Sequence, residues 1–146
     1  QCRSSNTTTT LSSSDQPGHG LFILTGVSGP NDWRSPQNTN LWQGEGGVNN
    51  PCPIGYRLPT DAELTSERLT WTGYGPGAAF ASPLKLPAAG CRSFTNGSFI
   101  MVGSYGYYWS STASVTYSML LMFYSSMTGI TTYGRASGIS VRCIKE

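Results

Sequence analysis

Tyr107-Tyr108-Trp109-Ser110-Ser111-Thr112, read together with the tail Gly138-Ile139-Ser140-Val141-Arg142-Cys143-Ile144, decides the fold. Aromatic and hydroxyl side chains suit a pleated, half-buried surface, and the tail alternates apolar and polar around its cysteine, so both stretches read as strands. About twenty-five residues lie between them, mostly Tyr, Ser, Thr, Met, Leu and Gly, with a single charge at Arg135. That composition is odd for a solvated loop region. The segment reads as a display surface that the rest of the chain holds still.

Working outward, the C-terminal region divides into strands over 107–112, 117–124, 130–133 and 139–144, joined by short Ser/Thr/Gly connections. Tyr117 to Tyr124 is too uniformly apolar for one-sided alternation, which predicts cover on more than the core face. Upstream, 91–95 and 98–102 flank Asn96-Gly97, the pair that suits a two-residue type I′ hairpin because both central residues take positive φ. Leu84-Lys85-Leu86 reads as a short strand, and Leu21-Phe22-Ile23-Leu24 as another. One helix is well marked, over about 60–70. Thr60 and Glu63 form a capping box, Leu58 and Leu64 take the staple positions, Asp61 adds favourable charge to the first turn, and Gly73 stops the helix. Capping and a solvated face account for Asp61, Glu63 and Glu67 without catalysis. Trp33 and Trp42, in loop-like sequence, read as anchors packed onto the core, with a ligand platform as the less favoured alternative. Pro51 and Pro53 stiffen the chain around Cys52. Residues 1–20 read as a Ser/Thr-rich arm, with strand-compatible residues from Thr7 to Leu11 and Cys2 as an anchor, followed by one domain over 21–146.

Composition narrows the function. With 146 residues, 11% charged and a net charge of +2, the chain is long enough for a real core but offers no electrostatic footprint for nucleic acid or an anionic membrane. Cys2, Cys52, Cys91 and Cys143 show no C-x-x-C spacing and are accompanied only by His19, which argues against zinc and for two disulfides in an oxidising compartment. No apolar run reaches membrane-spanning length, so no membrane insertion is expected. The opening at Gln1, without a basic start and apolar h-region, reads as a mature or trimmed product. Asn96-Gly97-Ser98 and Asn6-Thr7-Thr8 fit glycosylation acceptors on paper. His19 alone supports no Ser-His or Cys-His arrangement, so no enzyme and no cofactor are expected. Asn31-Asp32 and Asn49-Asn50 are too thin for a calcium cluster, and no metal is expected.

Several motifs occur in the order of one known family: Asn31-Asp32-Trp33-Arg34, Leu41-Trp42-Gln43-Gly44, Asn49-Asn50-Pro51-Cys52-Pro53, Gly55-Tyr56-Arg57-Leu58-Pro59-Thr60, Leu84-Lys85-Leu86-Pro87, Gly106-Tyr107-Tyr108-Trp109-Ser110-Ser111 and Ser140-Val141-Arg142-Cys143. Over about residues 21–146 the chain resembles the Fibrobacter succinogenes major paralogous domain family. That resemblance implies an α+β, C-type-lectin-like fold with short antiparallel strands and long ordered loops. It also implies kinship with formylglycine-generating-enzyme-like domains and with the variable proteins of diversity-generating retroelements, and a bacterial or phage origin. Cys52 and Cys143 fall on the family's habitual positions, so the resemblance pairs them and leaves Cys2 for Cys91; an intermolecular Cys2 bond in an assembly serves equally well. Met119, Met122 and Met127 do not arise from Asn codons by adenine replacement, which argues against retroelement diversification of this chain.

The expected function is an extracellular or cell-surface binding module, or one on a virion surface, that recognises a protein or carbohydrate ligand through residues 105–137. Tyr offers rigid contact area, Ser and Gly adaptable polar contacts, and Met a deformable one. Candidate contacts are Tyr105, Ser114, Val115, Met119, Leu120, Met122, Tyr124, Met127, Ile130, Thr132, Tyr133 and Ser137, with sheet core as the competing role, equally weighted for Leu120 and Met122. Trp109, Ser110, Ser111, Arg135 and Arg142 are expected to be scaffold. The alternative is a structural subunit of an extracellular filament or virion appendage, in contact with copies of itself, whose arm adds a strand to a neighbour.

Overall fold

Alternating side chains around Tyr108 build the centre of the molecule. The computed structural model describes residues 6–27, 29 and 31–146. Among them the elements run β1 Thr7–Thr8, β2 Phe22–Ile23, β3 Tyr56–Arg57, α1 Asp61–Leu69, α2 Gly75–Ala81, β4 Cys91–Arg92, β5 Phe99–Ile100, β6 Gly106–Ser114, β7 Tyr117–Tyr124, β8 Met127–Tyr133 and β9 Ile144–Lys145. The architecture is α+β. Strands β6, β7 and β8 form a three-stranded antiparallel meander, and the other strands pair two by two.

Successive residues of a strand point to opposite faces, and here both faces are covered. On one, Tyr108, Leu121 and Phe123 pack with Leu64 of α1, Ala79 of α2 and Leu86. On the other, Tyr107, Trp109 and Leu120 pack with Leu58 and Cys91. This two-sided burial is why Tyr117 to Tyr124 lacks polar alternation. Gly106 is required in β6 because a Cβ there would lie 2.0 Å from the Phe123 ring.

The capping box forms as expected. Glu63 N–H donates to Thr60 Oγ1 at 3.2 Å, and Thr60 N–H donates to Glu63 Oε2 at 2.8 Å. Arg57 then grips the same carboxylate, its Nη2 lying 2.7 Å from Glu63 Oε1. Asp61 Oδ1 accepts from Thr112 Oγ1 at 2.7 Å, tying the helix start to β6.

Four expectations are corrected. A second helix, α2, occupies what reads as a Gly/Ala/Pro connection; Pro76 lies in its first turn, and Gly75, at φ +78°, lies so near β7 that a Cβ would be 2.9 Å from the Tyr124 carbonyl oxygen. The Asn96-Gly97 connection is not a two-residue type I′ turn: of the two, only Gly97 has positive φ, and the ladder closes at Ser93 N–H donating to Ser98 O, 2.8 Å. Asn96 Oδ1 instead accepts from Ser98 N, 3.0 Å, and Ser98 Oγ, 2.7 Å, an Asx turn that competes with the tight hairpin. Leu84–Leu86 is no strand, since Lys85 takes φ +51° and Leu86 N–H returns to Ala79 O at 3.1 Å. The tail 139–144 is no single strand, because it is shared out: Gly138 bridges Arg92, Ser140 bridges Tyr108, and β9 pairs with β3.

The arm is docked in an unexpected way, through β1 lying parallel to β2 in the register Thr7↔Phe22. A disulfide joins Cys52 to Cys143 with Cα atoms 5.8 Å apart. The expected pair of Cys2 with Cys91 falls on a residue outside those described; Cys91 itself is buried and has no disulfide partner among the described residues.

Candidate binding surface

Register in the meander sorts the candidate contacts. Tyr107 stands opposite Met122, Tyr124 opposite Met127, and Ser118 opposite Tyr133. Alternation therefore places Tyr107, Met122, Tyr124, Met127 and Tyr133 on one face. Tyr105 joins them from the turn before β6, where its N–H donates to Met101 O at 3.0 Å and its carbonyl accepts from Gly90 N at 2.8 Å. The result is a row of four rings. Tyr124 and Tyr105 stack at 4.7 Å, Tyr105 and Tyr107 at 5.8 Å, and Tyr107 meets Tyr133 at 6.0 Å.

The four hydroxyls share one property. Tyr108 Oη, on the opposite face, donates to Pro87 O at 2.8 Å. Tyr105, Tyr107, Tyr124 and Tyr133 have no such partner among the described residues, yet none of their oxygens is among the buried unpaired atoms. Tyr105, Tyr124 and Tyr133 are half-buried and leave part of their surface to solvent, whereas Tyr107 is 6% exposed and belongs to the packed core behind them. Burial, reinforced by Cys91, Tyr133 and Tyr105 nearby, pushes the Tyr107 hydroxyl up to about 12. Burial also raises Tyr133. Phenols in this state are neutral groups that both donate and accept.

The remaining candidates lie elsewhere. Met119, Ile130 and Thr132 belong to the helix-facing side of the meander, and Ile130 packs against the Leu64–Phe123 cluster. Leu120 is 0% exposed and Ser137 4% exposed, so neither offers a contact to a ligand; both are corrected to core. Ser114 and Val115 sit at the far tip of the meander, where Val115-Thr116 forms a two-residue turn between the paired Ser114 and Tyr117.

That tip is clamped by Arg135, a residue expected to be scaffold, together with Gln37 and Asp32, which carry no such expectation. Arg135 Nη2 donates to the Val115 and Tyr117 carbonyls, both at 3.0 Å, and Gln37 Nε2 donates to Thr116 O, also at 3.0 Å. Asp32 holds both clamps: its Oδ2 accepts from Gln37 at 2.8 Å and lies 3.4 Å from Arg135 Nη1. Ser110 Oγ donates to Met119 O at 2.8 Å, Ser111 N to Pro59 O at 2.8 Å, and Arg142 to Lys85 O at 3.2 Å. Trp109 is buried beside them.

Concavities add little. The cleft beside Trp33, Trp42 and Trp109 has a volume of about 40 Å³, room for water rather than a ligand. A recess of about 530 Å³ lies between Leu11, Leu24 and Asn31, but none of the row's tyrosines lines it. Among the described residues no three His, Cys, Asp or Glu side chains gather as metal ligands, and no helix is long and apolar enough to cross a membrane.

Sequence reasoning missed one feature next to the tyrosines. Phe99, Ile100, Met101 and Val102 are consecutive and exposed by 73%, 36%, 50% and 63%. The signal was present: four apolar residues run on after Asn96-Gly97 without alternation, and no Asp, Glu, Lys, Arg or His occurs anywhere in 93–134.

A family model described as a domain of unknown function, DUF8237, matches residues 83–144, a stretch that holds the whole tyrosine row. No curated protein matches the chain, and no solved structure matches it.

Proposed function

We propose that the chain is an extracellular binding module of C-type-lectin-like architecture, which recognises a protein or glycan ligand through part of the 105–137 surface. The contact centres on Tyr105, Tyr124 and Tyr133, backed by the buried Tyr107, with Met122 and Met127 beside them. One observation supports this reading: Tyr105, Tyr124 and Tyr133, half-buried and gathered around the buried Tyr107, have no hydrogen-bond partner for their hydroxyls among the described residues, which leaves rigid contact area with hydrogen-bonding capacity unused by the fold. The Cys52–Cys143 disulfide supports export, because such bonds persist in oxidising compartments.

A second reading, a subunit of an extracellular filament or appendage, is favoured by the exposed run Phe99 to Val102. In that case copies of the chain would meet there; β1 is already paired with β2.

The test is a glycan and protein binding screen run with the native chain and with a variant carrying Tyr105→Ser, Tyr124→Ser and Tyr133→Ser. The expected outcome is a ligand whose affinity falls more than about tenfold in the variant, as for loss of central aromatic contacts. A ligand bound equally well by both would remove the tyrosine row from the site.

A further inference from the structure

The stretch of chain that builds the candidate surface contributes no charge to it, and this constrains the ligand. From 93 to 134 the chain holds no Asp, Glu, Lys, Arg or His. The charged residues bounding that stretch do not supply the deficit: Arg92 is 6% exposed, with its guanidinium 4.2 Å from the Phe22 ring centroid, and the Arg135 side chain is 8% exposed against Asp32. What the surface does offer is the hydroxyls of the half-buried Tyr105, Tyr124 and Tyr133, whose rings gather around the buried Tyr107 at spacings of 4.7–6.0 Å, and the thioethers of Met122 and Met127.

Resting on the binding-module reading, we propose that the ligand of the tyrosine row is a neutral polysaccharide. The argument is one of matching. About a quarter of the residues of an ordinary protein are charged, so a protein footprint of about 800 Å² brings charges to the contact. Charges that fall at the desolvated centre of such a footprint find no partner opposite this surface, and a buried unpaired charge is strongly disfavoured. An anionic glycan meets the same deficit. A neutral glycan presents only hydroxyls and C–H faces. Its hydroxyls both donate and accept, as tyrosine hydroxyls do, and its slightly positive C–H groups fit against electron-rich tyrosine ring faces and polarizable sulfur. Recognition of this kind needs no ion pair and no bridging cation.

The experiment titrates the native chain with dextran, mannan, xyloglucan and cellohexaose, with heparin and alginate as charged counterparts, and with the protein hits of the screen. At least one neutral glycan should bind, with an affinity that changes less than about twofold between low salt and about 0.5 M NaCl and is unaffected by EDTA. Tyr105→Phe and Tyr124→Phe, which remove only hydroxyls, should each weaken it by about three- to tenfold, in line with one lost neutral hydrogen bond. Melting temperatures of these variants, compared with the native chain, separate a lost contact from a lost fold. Failure of every neutral glycan to bind, preference for heparin or alginate, or steep salt dependence overturns the inference. If a protein from the screen binds instead and the serine variant loses it, the neutral-glycan inference falls while the binding module stands. Ligands of every class indifferent to the serine variant sink both.

Discussion

Val115 shows how much a single position can be made to bear. It is 85% exposed at the tip of the meander, and its φ is +46°, a region that a β-branched residue rarely enters. Such a conformation costs on the order of 1–3 kcal/mol and persists only where the surroundings over-determine it. Here they do, since the carbonyls of Val115, Thr116 and Tyr117 are each held by Arg135 or Gln37. Val115→Gly should therefore raise stability by about 1 kcal/mol, the relieved strain outweighing the extra chain entropy of glycine. Thermal denaturation should show a melting temperature a few degrees higher. An unchanged or lower value would mean that the valine is at ease in this turn. Leu120 and Ser137 mark what residue identity leaves open. Leucine and serine serve surfaces and cores alike, and only the register of β7 and the path of the tail decide that both are interior here.

At the scale of elements, the Arg57–Glu63 pair joins strand β3 to the first turn of α1. Arg57, hydrogen-bonded to Glu63, holds that carboxyl down at about 2, from an ordinary value of 4.5. A depressed folded pKa contributes stability above the unfolded value, and that contribution is lost as pH falls from about 4.5 toward about 2. The melting temperature should fall over this window, and less steeply in Glu63→Gln. With 40% of the Glu63 side chain exposed, solvent screening keeps the difference small. Equal acid slopes in the two proteins would show that Glu63 is not part of the acid response. The same helix start was the most legible element in the sequence, because a capping box is settled by residues three apart and needs no tertiary partner. The meander was legible for a similar reason, as its strands follow one another through short turns. What escaped was decided at a distance. Gly75 to Ala81 is helical because Ala79 has a pocket between α1 and β7 to fill, not because Gly-Pro-Gly-Ala-Ala favours helix. The tail alternates like one strand, but its partners are Arg92, Tyr108 and β3 in turn.

Across the whole molecule the Cys52–Cys143 disulfide closes a span of 91 residues that includes both helices and the meander. In the chain-entropy picture a loop of that length contributes about 4–5 kcal/mol. Scanning calorimetry with and without reductant should show a melting temperature lower by roughly 10 °C on reduction, and Cys52→Ser should behave like the reduced protein. A shift of only a degree or two would mean that packing alone holds the tail in place. The distribution of partners across this span has a consequence for how the chain can be cut. The stretch that matches the family model, 83–144, contains the tyrosine row, but Leu58 and Leu64, which cover the two faces of its sheet, lie outside it. So do Cys52, which binds its tail, and Asp32, which holds the clamps on its turn. That stretch is not a transplantable cassette: grafted onto another scaffold it would arrive with an unroofed sheet, a dangling thiol and a slack turn, and any transfer of its recognition has to carry the upstream residues with it.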